Sequence, residues 1–244
     1  MNRLCVLLPA YNEEKAIGNV VRRVLAVTLD DVQIVALVVN DGSRDGTARI
    51  AEEAGAIVVS HERNRGVGAA FRTGVEWARS RSFDFLVHMD SDGQVLPEEI
   101  PLVFHPVASG AADLALGSRF VRGQPENMEA WKAAALRSLA AGVGLMVGRS
   151  LSDVSCGFRC MNRKTLETLR PSFDYDYIQE SLLQAIGHGA RSVDVAVTVL
   201  YEADLMKRAG MSKRVVRYAT RFCAITARSL ADLYVQRARR IFHG

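Results

Sequence analysis

FLVHMDSDGQ, residues 85–94, is an apolar run from Phe85 to Met89 cut off by two carboxylates one residue apart, Asp90 and Asp92, then a glycine and an amide. Such an apolar run reads as a strand buried on both faces, the kind found in parallel sheets. The same rhythm recurs on either side. Apolar runs at Leu4–Leu8, Ile34–Val39, Ile57–Val59, Phe83–Met89 and Leu114–Leu116 alternate with amphipathic helical segments near 14–26, 46–54, 67–80 and 97–108. Strands separated by helices predict an α/β fold with a mostly parallel sheet flanked by helices. After Arg119 the rhythm breaks. A small-residue helix over about 129–147 leads to an irregular loop, a helix over 176–187, a strand over 192–199 and a basic helical tail.

Open α/β sheets bind ligands beyond the carboxyl ends of their strands. Three of those ends carry polar, acid-bearing loops: PAYNEE after Leu8, NDGSRDGT after Val39 and DSDGQ after Met89. The two acids of the last loop can reach one hard cation. Mg²⁺ and Mn²⁺ prefer oxygen ligands, take one or two carboxylates, and complete their shells with water and substrate phosphates. Ser91 lets Asp90 and Asp92 face the same site across the turn, and Gln94 offers a further carbonyl oxygen. A leaving diphosphate needs such charge compensation. The usual phosphate loops are missing. NRGVGAAFRTG (64–74) has Phe71 where a dinucleotide fingerprint needs its third glycine, and no P-loop motif occurs. Gly66 and Gly68 read either as a tight turn into a helix or as a close approach to a ligand. His88 reads as a strand residue facing a helix.

The chain has 244 residues, 49% hydrophobic and 24% charged, enough for one sizeable core with an appendage. A net charge of +4 argues for no particular partner, and no nucleic acid is expected. The four cysteines include no C-x-x-C pair and read as reduced thiols. The N-terminus is unlike a signal peptide. No unbroken apolar run reaches the roughly 18 residues of a membrane span. The longest candidate, 139–148, is too short on that count.

LPAYNEE, VVNDGSRDGT, NRGVGAAFRTG, HMDSDGQ, LALGSRF and SDVSCGFR occur in an order and spacing that resembles family 2 glycosyltransferases, in the dolichol-phosphate mannose synthase-like branch that includes polyprenyl-phosphate glucosyltransferases. The likeness covers about residues 3–213. It implies a GT-A fold over 1–210, a nucleoside-diphosphate-sugar donor (GDP-mannose or UDP-glucose), Mg²⁺ or Mn²⁺, inverting hexose transfer and a polyprenyl-phosphate acceptor. Carried over residue by residue, Pro9, Ala10, Tyr11 and Glu13 match the first nucleotide loop, and Asp41 matches the acid that reads the base. Asp90, Asp92 and Gln94 match the metal segment. Arg119 matches an arginine near the transferring phosphates. Asp153, Ser155, Gly157 and Arg159 match the loop that closes over the sugar, with Asp153, Arg119 and Arg159 expected to be catalytic. Lys213 matches a late cation for the diphosphate.

The sequence departs from the pattern in three places. Asn40 replaces the usual first acid before Gly-Ser. Lys132 and Leu136 replace an arginine and a serine that hold the acceptor phosphate, with Arg137 and Ser138 displaced nearby, so Lys132, Arg137 and Ser138 are the acceptor-phosphate candidates. Lys207 replaces a late arginine. A phosphate monoester has a second pKa near 6 and is largely ionised at neutral pH, so the nucleophile needs little help from a base. Asp153 is therefore expected to orient the acceptor or stabilise an oxocarbenium-like state.

Residues 211–244 form a basic tail. On a helix over 211–236, Arg214, Arg217, Arg221 and Arg228 fall in a stripe about 60° wide opposite an apolar face. The expected partner is an anionic membrane surface, with the chain peripheral on the cytoplasmic face and helix 129–147 as a second interfacial segment. The alternatives are the same chemistry on a soluble acceptor and a non-catalytic nucleotide-sugar-binding subunit.

Overall fold

The computed structural model describes residues 1–125, 128–172 and 177–200. Lys207, Lys213 and the arginine stripe of the tail lie outside the described residues. Seven strands form one sheet: β1 (Asn2–Ala10), β2 (Val32–Asn40), β3 (Ile57–Ser60), β4 (Phe85–His88), β5 (Leu114–Ser118), β6 (Arg159–Asn162) and β7 (Ser192–Ala196). Their spatial order is β3-β2-β1-β4-β6-β5-β7. All pairings are parallel except those of β6, which runs antiparallel to both β4 and β5. The sequence reading placed an irregular loop where β6 lies. Four residues, Arg-Cys-Met-Asn, are too short to show a period, and only neighbours on both sides make them a strand.

β1 is an interior strand between β2 and β4, buried on both faces from Leu4 onward. Leu4, Val6 and Leu8 pack on one face against α1 (Ile17–Ala26) and α4 (Ile100–Ala108), where Val20, Val24, Val103 and Phe104 lie. Cys5 and Leu7 point to the other face, against α3 (Val67–Ser80) and α7 (Tyr177–Gly187), with Phe71, Val75, Leu182 and Leu183. This period-2 division gives two apolar layers around one sheet. Each fully buried aliphatic side chain contributes about 1.5–3 kcal/mol. α1 begins at Ile17, three residues later than its periodicity suggested, because the acids before it are engaged elsewhere. The Glu13 and Glu14 N–H groups donate to Thr47 and Asp45, and the Glu14 carboxylate accepts from the Gly46 N–H.

Two further helices, α2 (Thr47–Glu53) and α6 (Arg163–Thr168), close the crossovers. Asn162 caps α6 by accepting from the Thr165 N–H. α5 (Ala130–Val147) is continuous over 18 residues. It has mean hydropathy 1.2 and is only 22% buried, so by length and composition it could cross a bilayer. The reading of 139–148 as too short counted the unbroken apolar run and not the helix, which starts nine residues earlier. Trp131, Leu145 and Met146 stand exposed on it.

The strand order reverses between β1 and β4, whose carboxyl ends sit side by side. In such sheets ligands bind at the reversal. The loops after β1, β2 and β4 therefore meet at one place.

Candidate active site

The first two loops interlock. Asn12, in a left-handed backbone conformation (φ 56°), donates its N–H to Ser43 and accepts from the Arg44 N–H. The Glu13 N–H donates to Thr47, and Glu14 N–H to Asp45. Asn40 is buried, donating to Ser60 and accepting from the Ser43 N–H. It thus holds the loop.

Between these loops and the start of α3 lies a cleft of about 460 Å³ lined by Pro9, Ala10, Tyr11, Asp41, Asn64, Gly66, Val67 and Ala70. Four of the residues matched to the nucleotide site line it. Gly66, at φ 90°, makes the turn into α3 and borders the cleft. Gly42 shows how tightly the loop after β2 packs on the loop after β3. It sits at φ +70°, and a Cβ there would meet the Arg63 carbonyl carbon at 2.4 Å and the Asn64 nitrogen at 2.5 Å. Gly42→Ala is expected to cost at least about 2 kcal/mol, from left-handed strain plus backbone displacement. Urea unfolding measures it; an unchanged midpoint would mean the two loops are not in contact. A larger groove of about 550 Å³ lies against α3 at Leu169–Pro171, away from the strand ends. Its Arg79 and Arg170 are tied to the Leu169 carbonyl, so it holds the chain together there.

The acids gather next to the cleft. Burial raises the Asp90 carboxyl above its ordinary range, opposed by the charge of Arg119. Burial and then the Asp90 charge raise Asp92, against a hydrogen bond from the Gln94 N–H. Glu13 is raised by burial and by Asp92, Asp45 and Asp90. These acids crowd one another, and a cation among them would relieve the repulsion. Among the described residues no group of three or more His, Cys, Asp or Glu forms a metal cage. Two carboxylates open to diphosphate oxygens are what Mg²⁺ or Mn²⁺ accepts, so the donor set fits. Ser91 is buried and donates to the Pro9 carbonyl at 2.7 Å, tying this turn to the first loop. The main chain of Gln94 donates to Asp92 and accepts from Leu200.

The loop between α5 and β6 closes over the acids. A Cβ on Gly157 would come within 3.3 Å of both Asp90 oxygens, so only glycine lets the loop lie there without displacing the acid. His88, buried, bonds the Gly157 carbonyl at 2.6 Å through Nδ1 and meets the Tyr177 hydroxyl at 3.3 Å. Burial, then the Arg159 charge, lower His88 to about 4 against the Gly157 bond, so the ring is neutral and Nδ1 donates. His88 is a strand residue bracing this loop, as its position suggested.

Arg119 and Asp153 form a bidentate pair, Nε to Oδ2 at 2.6 Å and Nη2 to Oδ1 at 2.9 Å, with Asp153 1% exposed. Ser155 bonds both partners. Burial alone would raise Asp153, but the Arg119 hydrogen bonds and charge outweigh it and hold the carboxyl below its ordinary range. Arg159 differs from its expected catalytic placement. Its guanidinium donates to the carbonyls of Cys156, Ile178 and Val154, stapling the loop to α7. Lys132 lies close enough to Arg119 that burial and then that charge lower its pKa. Arg137 lies over Phe120 at 5.2 Å, and Ser138 is exposed on α5. Of the three acceptor-phosphate candidates, Lys132 feels the Arg119 charge, and Arg137 shares the Phe120 ring with Arg119.

His61, on the loop after β3, was missed. It bonds Asp41 at 2.6 Å through Nδ1. The signal was available, since β3, like β1, β2 and β4, runs into a polar loop at the sheet's carboxyl edge.

The Glycosyl transferase family 2 domain matches residues 5–170. The chain is a family 2 glycosyltransferase. It falls in the dolichol-phosphate mannose synthase-like branch. It is 33% identical over 207 residues to a polyprenol monophosphomannose synthase of Mycolicibacterium smegmatis, covering 80% of this chain and 77% of that one. It is 31% identical to an undecaprenyl-phosphate mannosyltransferase of Micrococcus luteus, covering 80% and 83%. A UDP-N-acetylglucosamine–dolichyl-phosphate N-acetylglucosaminyltransferase of Methanococcus voltae is 28% identical, covering 83% and 88%. Among solved structures, glucosyl-3-phosphoglycerate synthase of Mycobacterium tuberculosis superposes with a TM-score of 0.64 at 25% identity, covering 91% of this chain and 81% of that one. The sheet and its flanking helices are those of a GT-A glycosyltransferase.

Proposed function

We propose that this glycosyltransferase moves a hexose from a nucleoside-diphosphate sugar onto the phosphate of a polyprenyl phosphate, with inversion at the anomeric carbon. The observation that carries the reading is the meeting of opposite charges at one edge. The acids Glu13, Asp90 and Asp92 crowd one another on the loops after β1 and β4, the second of which is tied by Ser91 to Pro9 of the cleft, and the charge of Arg119 reaches both Asp90 and Lys132. A diphosphate bridged to the acids and an acceptor phosphate beside the cations would fill that edge. The three sequence relatives are named for polyprenol, undecaprenyl-phosphate and dolichyl-phosphate, which supports this acceptor class.

The nucleotide would lie in the cleft against Tyr11, Pro9 and Ala10, with Asp41 reading the base. Asp90, Asp92 and the side-chain carbonyl of Gln94 would hold Mg²⁺ or Mn²⁺, which when bound neutralises charge on the leaving diphosphate. Ser155 and Gly157 shape the sugar loop. Arg119 faces developing negative charge while Asp153 fixes its fork. Lys132 receives the acceptor phosphate, with Arg137 and Ser138 further along α5. Lys213 would add a cation to the diphosphate. The acceptor is already ionised, so these residues position it and need not remove a proton. On this reading residues 1–210 would be the catalytic domain and 211–244, outside the described residues, would be the basic amphipathic helix. A lipid acceptor keeps its tail in a bilayer, so the exposed apolar side chains of α5 and the arginine stripe of the tail would lie on the membrane surface, on its cytoplasmic face.

Incubating the purified chain with radiolabelled nucleotide sugars, Mn²⁺ and polyprenyl phosphate is expected to yield a lipid-extractable product that EDTA prevents. The anomeric configuration of that product, read by NMR, should be opposite to the donor's. Transfer only to a water-soluble acceptor would overturn the lipid assignment, and donor binding without transfer would leave a non-catalytic subunit.

A further inference from the structure

The donor's base is set by how many hydrogen bonds Asp41 has left to give. We infer that this site reads a base through a single imide N–H, and so takes a uridine diphosphate sugar in preference to a guanosine one. The inference rests on the cleft being the nucleotide site. An ionised carboxylate has about four lone-pair directions, two on each oxygen. Asp41 is 2% exposed, and three of its directions are taken. Oδ1 accepts from the Arg65 N–H at 2.9 Å and pairs with His61 Nδ1 at 2.6 Å, and Oδ2 accepts from the Gly66 N–H at 2.8 Å. Among the described residues nothing else bonds Asp41's carboxylate, so Oδ1 is full and Oδ2 keeps one direction. Asp41 also lines the cleft, so that direction is the one a ligand can use.

The bases differ in what they need from it. Guanine offers two adjacent donors, the ring N1–H and the exocyclic amine. They match a carboxylate only when each oxygen has a free site. Uracil offers one donor, N3–H, between two carbonyls. Cytosine has an unprotonated N3 at that place, which would set an acceptor against an acceptor. Only uracil matches one remaining lone pair. Asn64 lines the same cleft and has an amide that can donate to a flanking carbonyl.

The carboxylate cannot turn to free its other oxygen. His61 is itself held by Thr73, whose hydroxyl lies 2.9 Å from Nε2, and its side chain is 6% exposed. With Asp41 ionised, Nδ1 is the donor, and Thr73 fixes the ring from the other side. His61 is therefore a positioning residue that fills the site a guanine amine would need.

Titration calorimetry of the whole chain with UDP, GDP and CDP in the presence of Mn²⁺ tests this. UDP should bind at least about tenfold tighter than either of the others, the effect of one buried group left unpaired. CDP has the size of UDP and differs at the base edge, so equal affinity for the two would overturn the inference. GDP binding as tightly as UDP would overturn it too while leaving the nucleotide site standing. No binding by any of the three would remove the nucleotide site and the inference together. In His61→Ala, and more mildly in Thr73→Val, the UDP-to-GDP ratio should fall toward one, because Oδ1 is freed. A parallel weakening of both nucleotides with the ratio unchanged would show that His61 only supports the loop.

Discussion

Asp92→Ala is expected to lower kcat for metal-dependent sugar transfer by about two to three orders of magnitude while leaving the fold intact, the size of effect seen when one preorganised electrostatic group is removed. The fold survives because, among the described residues, the Asp92 carboxylate accepts only from the Gln94 N–H within its own turn. Transfer would fail because a cation held by Asp90 and Asp92 would keep a single carboxylate. The pH dependence follows from the same crowding. Asp90, Asp92 and Glu13 are all raised, first by burial. Protons compete with the metal for these oxygens, so metal-dependent activity should fall on acidification at a pH above the ordinary carboxylate range. The metal-free protein behaves in the opposite sense. A raised carboxyl contributes stability that is complete below its unfolded pKa and is lost as pH rises through its folded value. The rise in Tm on adding Mn²⁺ should therefore grow from acid to neutral pH. In Asp92→Ala the remaining acids repel less, so the metal-free variant should melt no lower than the parent at neutral pH. Full activity in the variant, with EDTA still inhibiting, would place the cation elsewhere.

Much of the molecule was legible in the sequence because parallel strands advertise themselves. β1, β2 and β4 are buried on both faces toward their carboxyl ends and read as apolar runs, and the polar loops after them carry the chemistry. α3 and α5 match their predicted spans to within a residue, one by its period and a bordering glycine, the other by its small residues. What was hidden depends on distant partners. β6 is a strand only because β4 and β5 flank it. Arg159 looked catalytic by its place in a motif, yet the carbonyls it meets come from Val154, Cys156 and Ile178, and the last of these is nineteen residues away. No local pattern reports that contact. The base preference likewise depends on His61, twenty residues from Asp41 in sequence and within hydrogen-bonding reach in the fold.

Arg119→Ala should be costly twice over, and the two costs can be separated. Asp153 is 1% exposed and its carboxylate is gripped by the Arg119 fork. Removing the arginine leaves a buried charge without its partner, which costs about 3–5 kcal/mol. For a chain of this size that is roughly 6–20 °C in Tm. Asp153 is held below its ordinary range, so the pair's contribution is present above the unfolded carboxyl pKa and is lost as pH falls through the folded value. The penalty of Arg119→Ala should accordingly shrink toward acid pH, where Asp153 takes up a proton. Removing both residues abolishes the stranded charge, so Arg119→Ala/Asp153→Ala should be less destabilised than the sum of the single variants by about 2 kcal/mol or more. Additive single effects would mean that the pair does not act as a unit. Transfer activity should not recover in the double variant, since the cation beside the acceptor site is still missing. Arg119→Lys supplies the remaining distinction. Lysine keeps the charge but cannot make the two-pronged bond to Asp153. It should retain most of the stability and only a small part of kcat if the fork positions the charge for transfer. If Arg119→Lys keeps full activity, a point charge suffices and the fork serves the fold alone.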